Sequence, residues 1–549
     1  MKHSVRFHDT FVSSALLLPK TNMPKSPSFY SALSYLLLMV LIGGPIWWKT
    51  TEVYRVSLPY NRIEALPATR HFTVNVQLVT TDTRKDHQLG PKVQAEINAE
   101  TSPIFSLSLR GRAPTQEENA AMASSKSLTD LDDRVSRLHG SFMPGTVFLF
   151  EVPEGKFDSG GGANIMVGRH RCVYFTRGAD VRHLVDILRE TVLGESNARK
   201  VLESVRAPSH QRSDESLLTR VTASKKYDLL FSLLIPEPED MAVRWGIGPA
   251  IDSFITPFVE GLEGIAHFDV KSQVLYLAKL NLKTKAEGDG YTVTPSDLGL
   301  AINPVETQLA SHVSVNPRLN FLVYVPTMDG QAPLHIVGDG DDALIDSNSF
   351  LIPRWGGVCI YNVPRSNSSA DSVAEIDMGK VMGVFLAQLR ELLGVQTVSE
   401  KELLAERKAT LLPIKSPEFG LRTWEKESLF RLRTLENLEL SRVTLSSLSH
   451  LLSQIPNIVI NDEIGEQVVD AVHMSEQGEK HCELGRLAEA LDSSKGALSA
   501  SEKAFFDPSL LALLYFPEDQ KYAIYIPLFL PVLIPVLLSV PTIWAVLRT

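Results

Sequence analysis

The stretch His71-Phe72-Thr73-Val74-Asn75-Val76-Gln77-Leu78-Val79 alternates apolar and polar residues, so Phe72, Val74 and Val76 share one face of a strand and polar partners the other. A period of two belongs to a half-buried strand. Short apolar or β-branched runs bounded by Gly, Pro, Asn or Asp recur at Thr146 to Glu151, Cys172 to Thr176, Leu229 to Ile235, Val274 to Ala278, Phe321 to Val325 and Val358 to Tyr361. Helical spacing interleaves with them. Val181, Leu184, Val185, Leu188, Val192 and Leu193 follow Asp180, an N-cap residue type, and Met378, Val381, Met382, Phe385, Leu389 and Leu392 follow Asp377. The expected class is an α/β or α+β body, a mixed sheet with flanking helices.

On either side of these strands the pattern changes. From Glu418 the strand signal fades, and residues 421–452 and 463–504 place Leu, Glu, Arg and Ser at helical spacing around the breaker Ile455-Pro456-Asn457. A helical hairpin is expected there. Residues 84–135 have weak periodicity and read as an irregular excursion, and no internal repeat stands out.

The two ends are apolar. Between Lys25 and Lys49 lie 23 residues without a charge, and between Lys521 and Arg548 lie 26. At about 1.5 Å per helical residue, each can cross roughly 30 Å of hydrocarbon. The first span, Phe29 to Trp48, has basic residues before it and Trp47 and Trp48 at its exit, which keeps the N-terminus cytoplasmic. A second span at Tyr522 to Leu547 then returns the chain. The expected organisation is a cytoplasmic tail (1–25), transmembrane helix (26–48), lumenal α/β body (49–417), lumenal helical segment (418–521), transmembrane helix (522–547) and cytoplasmic end (548–549). Pro45 followed by two tryptophans and Lys49 makes a poor signal-peptide cleavage site. The apolar run Phe505 to Leu511 cannot serve as the polar spacer of a lipid-anchor signal.

Pro527, Pro531, Pro535 and Pro541 lie within the second span. Each removes a backbone donor, and in a bilayer the freed carbonyls must find neighbouring helices, hydroxyls or water. Steps of four residues keep Pro527, Pro531 and Pro535 near one stripe, which is expected to pack against helices of other subunits.

Composition narrows the function. The 549 residues are 44% hydrophobic with a mean hydropathy of +0.01, which fits a globular body with a few spans. The net charge is −10, and since residues 1–25 are +3 and Arg548 adds one more, residues 26–547 carry −14. So acidic a body has no basic surplus for nonspecific nucleic-acid binding. The three cysteines, Cys172, Cys359 and Cys482, allow at most one intramolecular disulfide.

Motifs of chemistry are weak. Gly160-Gly161-Gly162-Ala163-Asn164 lacks the Lys-Ser/Thr of a phosphate loop and reads as a turn. Asp339, Asp341, Asp342 and Asp346 lack EF-hand spacing and read as a solvated loop. His170 lies two residues from Cys172 and His481 adjoins Cys482, but adjacent residues such as the second pair point to different sides, and residues this close in sequence rarely form a dyad. No G-x-S-x-G, H-E-x-x-H or C-x-x-C is present, so no catalytic, cofactor or metal residue is assigned. Asn367-Ser368-Ser369 is an N-glycosylation acceptor, in keeping with a lumenal body.

Two terminal stretches and one internal motif resemble a known family. Pro45-Ile46-Trp47-Trp48-Lys49-Thr50-Thr51-Glu52-Val53-Tyr54-Arg55, then Ser501 to Leu511 running on to Leu528, and Pro353-Arg354-Trp355-Gly356-Gly357 with Tyr361-Asn362, are similar to the phosphatidylinositol-glycan biosynthesis class S family. The resemblance implies a subunit of the glycosylphosphatidylinositol (GPI) transamidase in the endoplasmic reticulum membrane. It would support assembly and attachment of GPI to proprotein C-termini, with the Cys/His chemistry in a separate caspase-like subunit. A membrane-anchored lumenal hydrolase with a dispersed site, and a cleaved secreted binding protein, are the competing readings.

Overall fold

A computed structural model describes residues 27–51, 54–68, 71–80, 89–139, 145–153, 163–207, 219–221, 223–239, 242–287, 290–294, 298, 302–303, 306, 316–326, 333–338, 344–363, 373–395, 408–412, 420–455, 458–512 and 518–547. The chain divides into two compact units, one of Met1–Ser57, Leu451–Gly465 and Phe506–Thr549, the other of Leu58–His450 and Glu466–Phe505.

The first unit is helical. A continuous run is α-helical over Pro27–Leu38, widens to a π-turn at Met39–Gly43 and resumes as α-helix over Gly44–Thr51. The 30-residue helix Glu518–Leu547 packs against its first segment. Among the described residues one stretch is long and apolar enough to cross a membrane, the 18 residues Phe29–Ile46, with mean hydropathy 1.8 and none of it buried. The expectation of two such spans is met in part. The C-terminal helix contains a shorter apolar stretch, Phe529–Pro541, and four prolines interrupt its hydrogen-bond ladder.

The second unit contains the strands, in chain order β1 (Phe72–Val79), β2 (Phe105–Arg112), β3 (Thr146–Glu151), β4 (Ile165–Val167), β5 (Cys172–Phe175), β6 (Lys226–Ile235), β7 (Val243–Arg244), β8 (His267–Tyr276), β9 (Lys285–Glu287), β10 (Gly290–Val293), β11 (Arg318–Tyr324), β12 (Leu334–Ile336), β13 (Ser349–Ile352), β14 (Gly356–Ile360), β15 (Ala374–Glu375) and β16 (Ala409–Leu411). Two mixed sheets dominate. The first has the order β16-β4-β5-β3-β1-β2 and the second β13-β14-β11-β6-β8. A three-stranded sheet, β12-β10-β9, and the pair β15-β7 complete the set.

The two large sheets repeat one topology. In the first, β1 runs parallel between β2 and β3, β5 is parallel to β3, and β4 is antiparallel to β5. In the second, β6 runs parallel between β8 and β11, β14 is parallel to β11, and β13 is antiparallel to β14. Counted within each half, both orders are 2-1-3-5-4 with the fourth strand reversed. The helix after each fifth strand starts alike, with Asp180 accepting from Arg182 N and Asp377 from Gly379 N and Lys380 N. Both helical runs stop at a left-handed glycine, Gly194 at φ 70° and Gly394 at φ 76°. No period in the residues marks this likeness, because sheet order is set by which strands pair.

Strand alternation assigns the cores. Phe72, Val74, Val76, Val147, Leu149, Val173, Leu229, Phe231, Leu319 and Phe321, one face of each sheet, join the flanking helices in a single apolar cluster. The reverse face of the first sheet, with Phe148, Phe150 and Tyr174, packs on Leu128, Leu131 and Val135 of the helix Leu128–His139. The reverse face of the second, with Leu230, Leu322 and Val358, packs on Val293 and Ile336 of the small sheet.

Two expectations need correction. Residues 84–135 hold regular elements, namely the helices Leu89–Ala99 and Gln116–Ser124, β2 and the start of Leu128–His139. Each buries only a few side chains, such as Val93 and Ile97, so polar residues mask the period. The C-terminal segment is three helices, Thr423–Gln454, Asp462–Glu483 and Leu487–Phe505, where a hairpin was expected. Gly485, at φ 69°, closes the second and reverses the chain into the third.

Candidate functional site

Residues 54–56, which follow the helical run ending at Thr51 in the sequence, form a strap. Val56 N donates to Ile460 O and Ile460 N to Tyr54 O, both at 3.1 Å. Tyr54 Oη donates to Asp462 Oδ1 at 2.9 Å, and Arg55 Nη2 to Leu452 O at 2.7 Å, in the last turn of Thr423–Gln454. A guanidinium at the carbonyl end of a helix satisfies an orphan acceptor and opposes the negative end of the dipole. The residues Tyr54 and Arg55, singled out by resemblance, thus fasten the exit of the first apolar helix to the loop that joins two long helices.

Pro527, Pro531 and Pro535 are exposed on this chain, as is Pro541. A proline at position i deprives the carbonyl at i−4 of its helical donor, so the acceptors affected are those of Ala523, Pro527 and Pro531. Successive positions four apart turn about 400°, which keeps them on one stripe. Ile526, Leu530, Leu533, Ile534, Leu537 and Leu538 are also exposed.

The internal motif is architectural. Arg354, at φ 61°, and Gly356, at φ 148°, form the turn between β13 and β14. A Cβ on Gly356 would land on the Asn320 carbonyl of the adjacent strand, and one on Gly357 on the Gln388 side chain. Asn362 receives Leu334 N and donates to Leu334 O, and Tyr361 Oη accepts from Asp377 N, the cap of the following helix. The glycines are there for close strand contact.

All three thiols are buried. Burial pushes the Cys172 thiol well above its ordinary value, with the Asp132 carboxylate adding to it. Burial pushes Cys359 up to about 12. A thiol held protonated is a poor nucleophile. His170 sits in the turn before Cys172, where its Nδ1 lies 3.2 Å from Thr423 Oγ1. Asp346 is exposed in a turn, whereas Asp339, Asp341, Asp342, Gly160, Gly161, Gly162 and Asn367 lie outside the described residues. Among the described residues no three His, Cys, Asp or Glu side chains form a metal-holding group.

One cavity, of about 340 Å³, was not foreseen from sequence. Its walls come from the residues leading into β6, the connection from the helix Thr256–Gly261 to β8, and the helices Thr423–Gln454 and Leu487–Phe505. Its polar side chains include Lys225, Arg433, Asn437, Lys495 and Glu502. They are scattered over 278 positions of sequence, and spacing alone cannot unite them.

Comparison with known proteins adds a family model. That of phosphatidylinositol-glycan biosynthesis class S protein matches residues 34–549. A Rattus norvegicus protein named GPI-anchor transamidase component PIGS is 35% identical over 547 residues, covering 94% of this chain and 94% of its own. The Homo sapiens protein of that name is 36% identical, covering 94% and 95%. The Saccharomyces cerevisiae GPI transamidase component GPI17 is 23% identical, covering 90% and 88%.

Proposed function

The chain belongs to the phosphatidylinositol-glycan biosynthesis class S family, and from that premise we propose how it serves the GPI transamidase, of which it is a subunit. Its role is non-catalytic: it supports assembly of the complex and attachment of GPI anchors to proprotein C-termini, while a separate caspase-like subunit provides the nucleophile. The observation that carries this reading is the burial of Cys172, Cys359 and Cys482 in a chain matched to transamidase components along nearly its whole length.

The chain resides in the endoplasmic reticulum membrane with two spans, 26–48 and 522–547, both termini cytoplasmic, and lumenal segments 49–417 and 418–521. The basic tail, the apolar Phe29–Ile46 and the sequon at Asn367 support that orientation. Pro527, Pro531 and Pro535 pack against membrane helices of partner subunits, and the exposure of this stripe on the isolated chain supports it.

Cys→Ser replacement at each of the three positions, scored by transfer of GPI to a reporter in cells, tests the non-catalytic role. Transfer stays near the parental level wherever the complex assembles; a single replacement that abolishes transfer in an assembled complex overturns the reading. The buried Cys359 carries a separate cost, because an added hydroxyl in its apolar strand destabilises by about 1–3 kcal/mol, so recovery of the complex is measured alongside.

A further inference from the structure

The 340 Å³ cavity lies within the size range of small-molecule sites, and its charges are unbalanced. Arg433 is answered by Glu436 at 2.8 Å and by the Leu393 carbonyl at 3.0 Å. Lys225 and Lys495 have no carboxylate within ion-pair distance among the described residues, and Lys495 Nζ donates only to the neutral Gly264 carbonyl, at 2.7 Å. Burial lowers the affinity of Lys495 for its proton; Asp492 opposes this and the nearby charge of Lys225 adds to it. Glu502 is the one acid among the lining residues, and burial raises its pKa. Two like-charged ammonium groups thus border one cavity, and an anion bound between them would be attracted by both.

A second observation concerns Asn437, which is 2% exposed. Its Nδ2 donates to Ser494 Oγ at 3.2 Å, whereas its Oδ1 is buried with no hydrogen-bond partner. That acceptor is sealed from solvent, so a donor on a bound molecule would reach it only once the Asn437 side chain turns toward the cavity, where it would gain the hydrogen bond it lacks. Leu262, Leu491 and Leu498 supply an apolar wall.

We propose that this cavity binds a small organic anion, a carboxylate or phosphomonoester, with its charged group between Lys225 and Lys495, a hydroxyl or N–H directed to Asn437 Oδ1, and an aliphatic body along Leu262, Leu491 and Leu498. The inference concerns the second unit alone and stands apart from the subunit role.

The test uses the full chain in mild detergent, titrated calorimetrically with 2-hydroxyoctanoate, octyl phosphate and the neutral control octanol. Saturable binding of both anions and none of octanol is expected. Lys495→Gln and Lys225→Gln should each weaken anion binding by about tenfold or more, Lys495→Arg should retain most of it, and Asn437→Ala should weaken the hydroxy acid more than octyl phosphate. Mixed micelles of phosphatidylcholine with and without phosphatidic acid separate the sources: competition by phosphatidic acid marks a lipid head group as ligand, and its absence marks a soluble anion. Equal binding of octanol, no saturable binding of either anion, or unchanged affinity in both lysine variants overturns the proposal. Lys225 is exposed, so its variant remains informative if Lys495→Gln fails to fold.

Discussion

Glu118 is fully buried, yet it receives both Nη atoms of Arg112 at 2.6 Å, lies 2.6 Å from His139 Nε2 and accepts from Thr115 N at 2.7 Å. Burial works to raise its pKa, and the hydrogen bonds from Arg112, His139 and Thr115 outweigh it, holding the carboxyl far below the ordinary range. The folded state therefore binds this proton less well than the unfolded chain. Its stabilisation is present in full above the unfolded carboxylate value, about 4.3, and is lost as pH falls below it. Glu118→Ala strands Arg112 and should destabilise by about 3 kcal/mol, the low end for a broken buried pair because Arg112 is 28% exposed. Thermal unfolding of the solubilised chain at pH 7 and pH 4 checks both statements: the variant melts lower at pH 7, and the gap narrows at pH 4. Gly356→Ala should prevent recovery of folded chain, since the added methyl meets the Asn320 backbone and no rotamer change can relieve it. Part of this was legible, since Gly356-Gly357 stood in the family-like motif, whereas the capping box of Thr115 and Glu118 lies in the stretch read as irregular. The partners Arg112, His139 and Asn320 were not, because a tertiary contact leaves no mark in local spacing.

The helices that follow Asp180 and Asp377 and the central strands were the most readable elements, since each buries a continuous face. β3 follows the predicted 146–151, and Asp180 and Asp377 both cap their helices. β8 begins at His267, seven residues before its apolar signal, because it pairs only with β6 among the described strands and its side chains are largely half-exposed. On the helix Met378–Leu393, Gly383 is exposed and a Cβ there would meet nothing within 4 Å. Gly383→Ala should therefore raise stability by about 0.5–1 kcal/mol, read as a higher melting temperature, in contrast to Gly356→Ala. For the helix Glu518–Leu547, exchange of 522–547 for poly-Leu of equal length tests the proline stripe. The chain should stay in the membrane while co-purification of other subunits and GPI transfer both fall. Full assembly with poly-Leu would reduce this helix to an anchor.

Across the whole molecule, the sequence allowed the α/β class and the apolar ends to be read, because both rest on local pattern. The cavity and the sheet order were hidden, because both depend on residues far apart in the chain. The orientation proposed for the chain predicts that in sealed microsomes protease removes a tag at residue 2 and spares the body, and that Asn367 carries a glycan removable by endoglycosidase. A protected tag beside a digested body would invert the topology. One face of each large sheet lies in a single apolar cluster, so neither sheet completes its core alone, and a chain cut between them would leave each half with an open apolar face prone to aggregation.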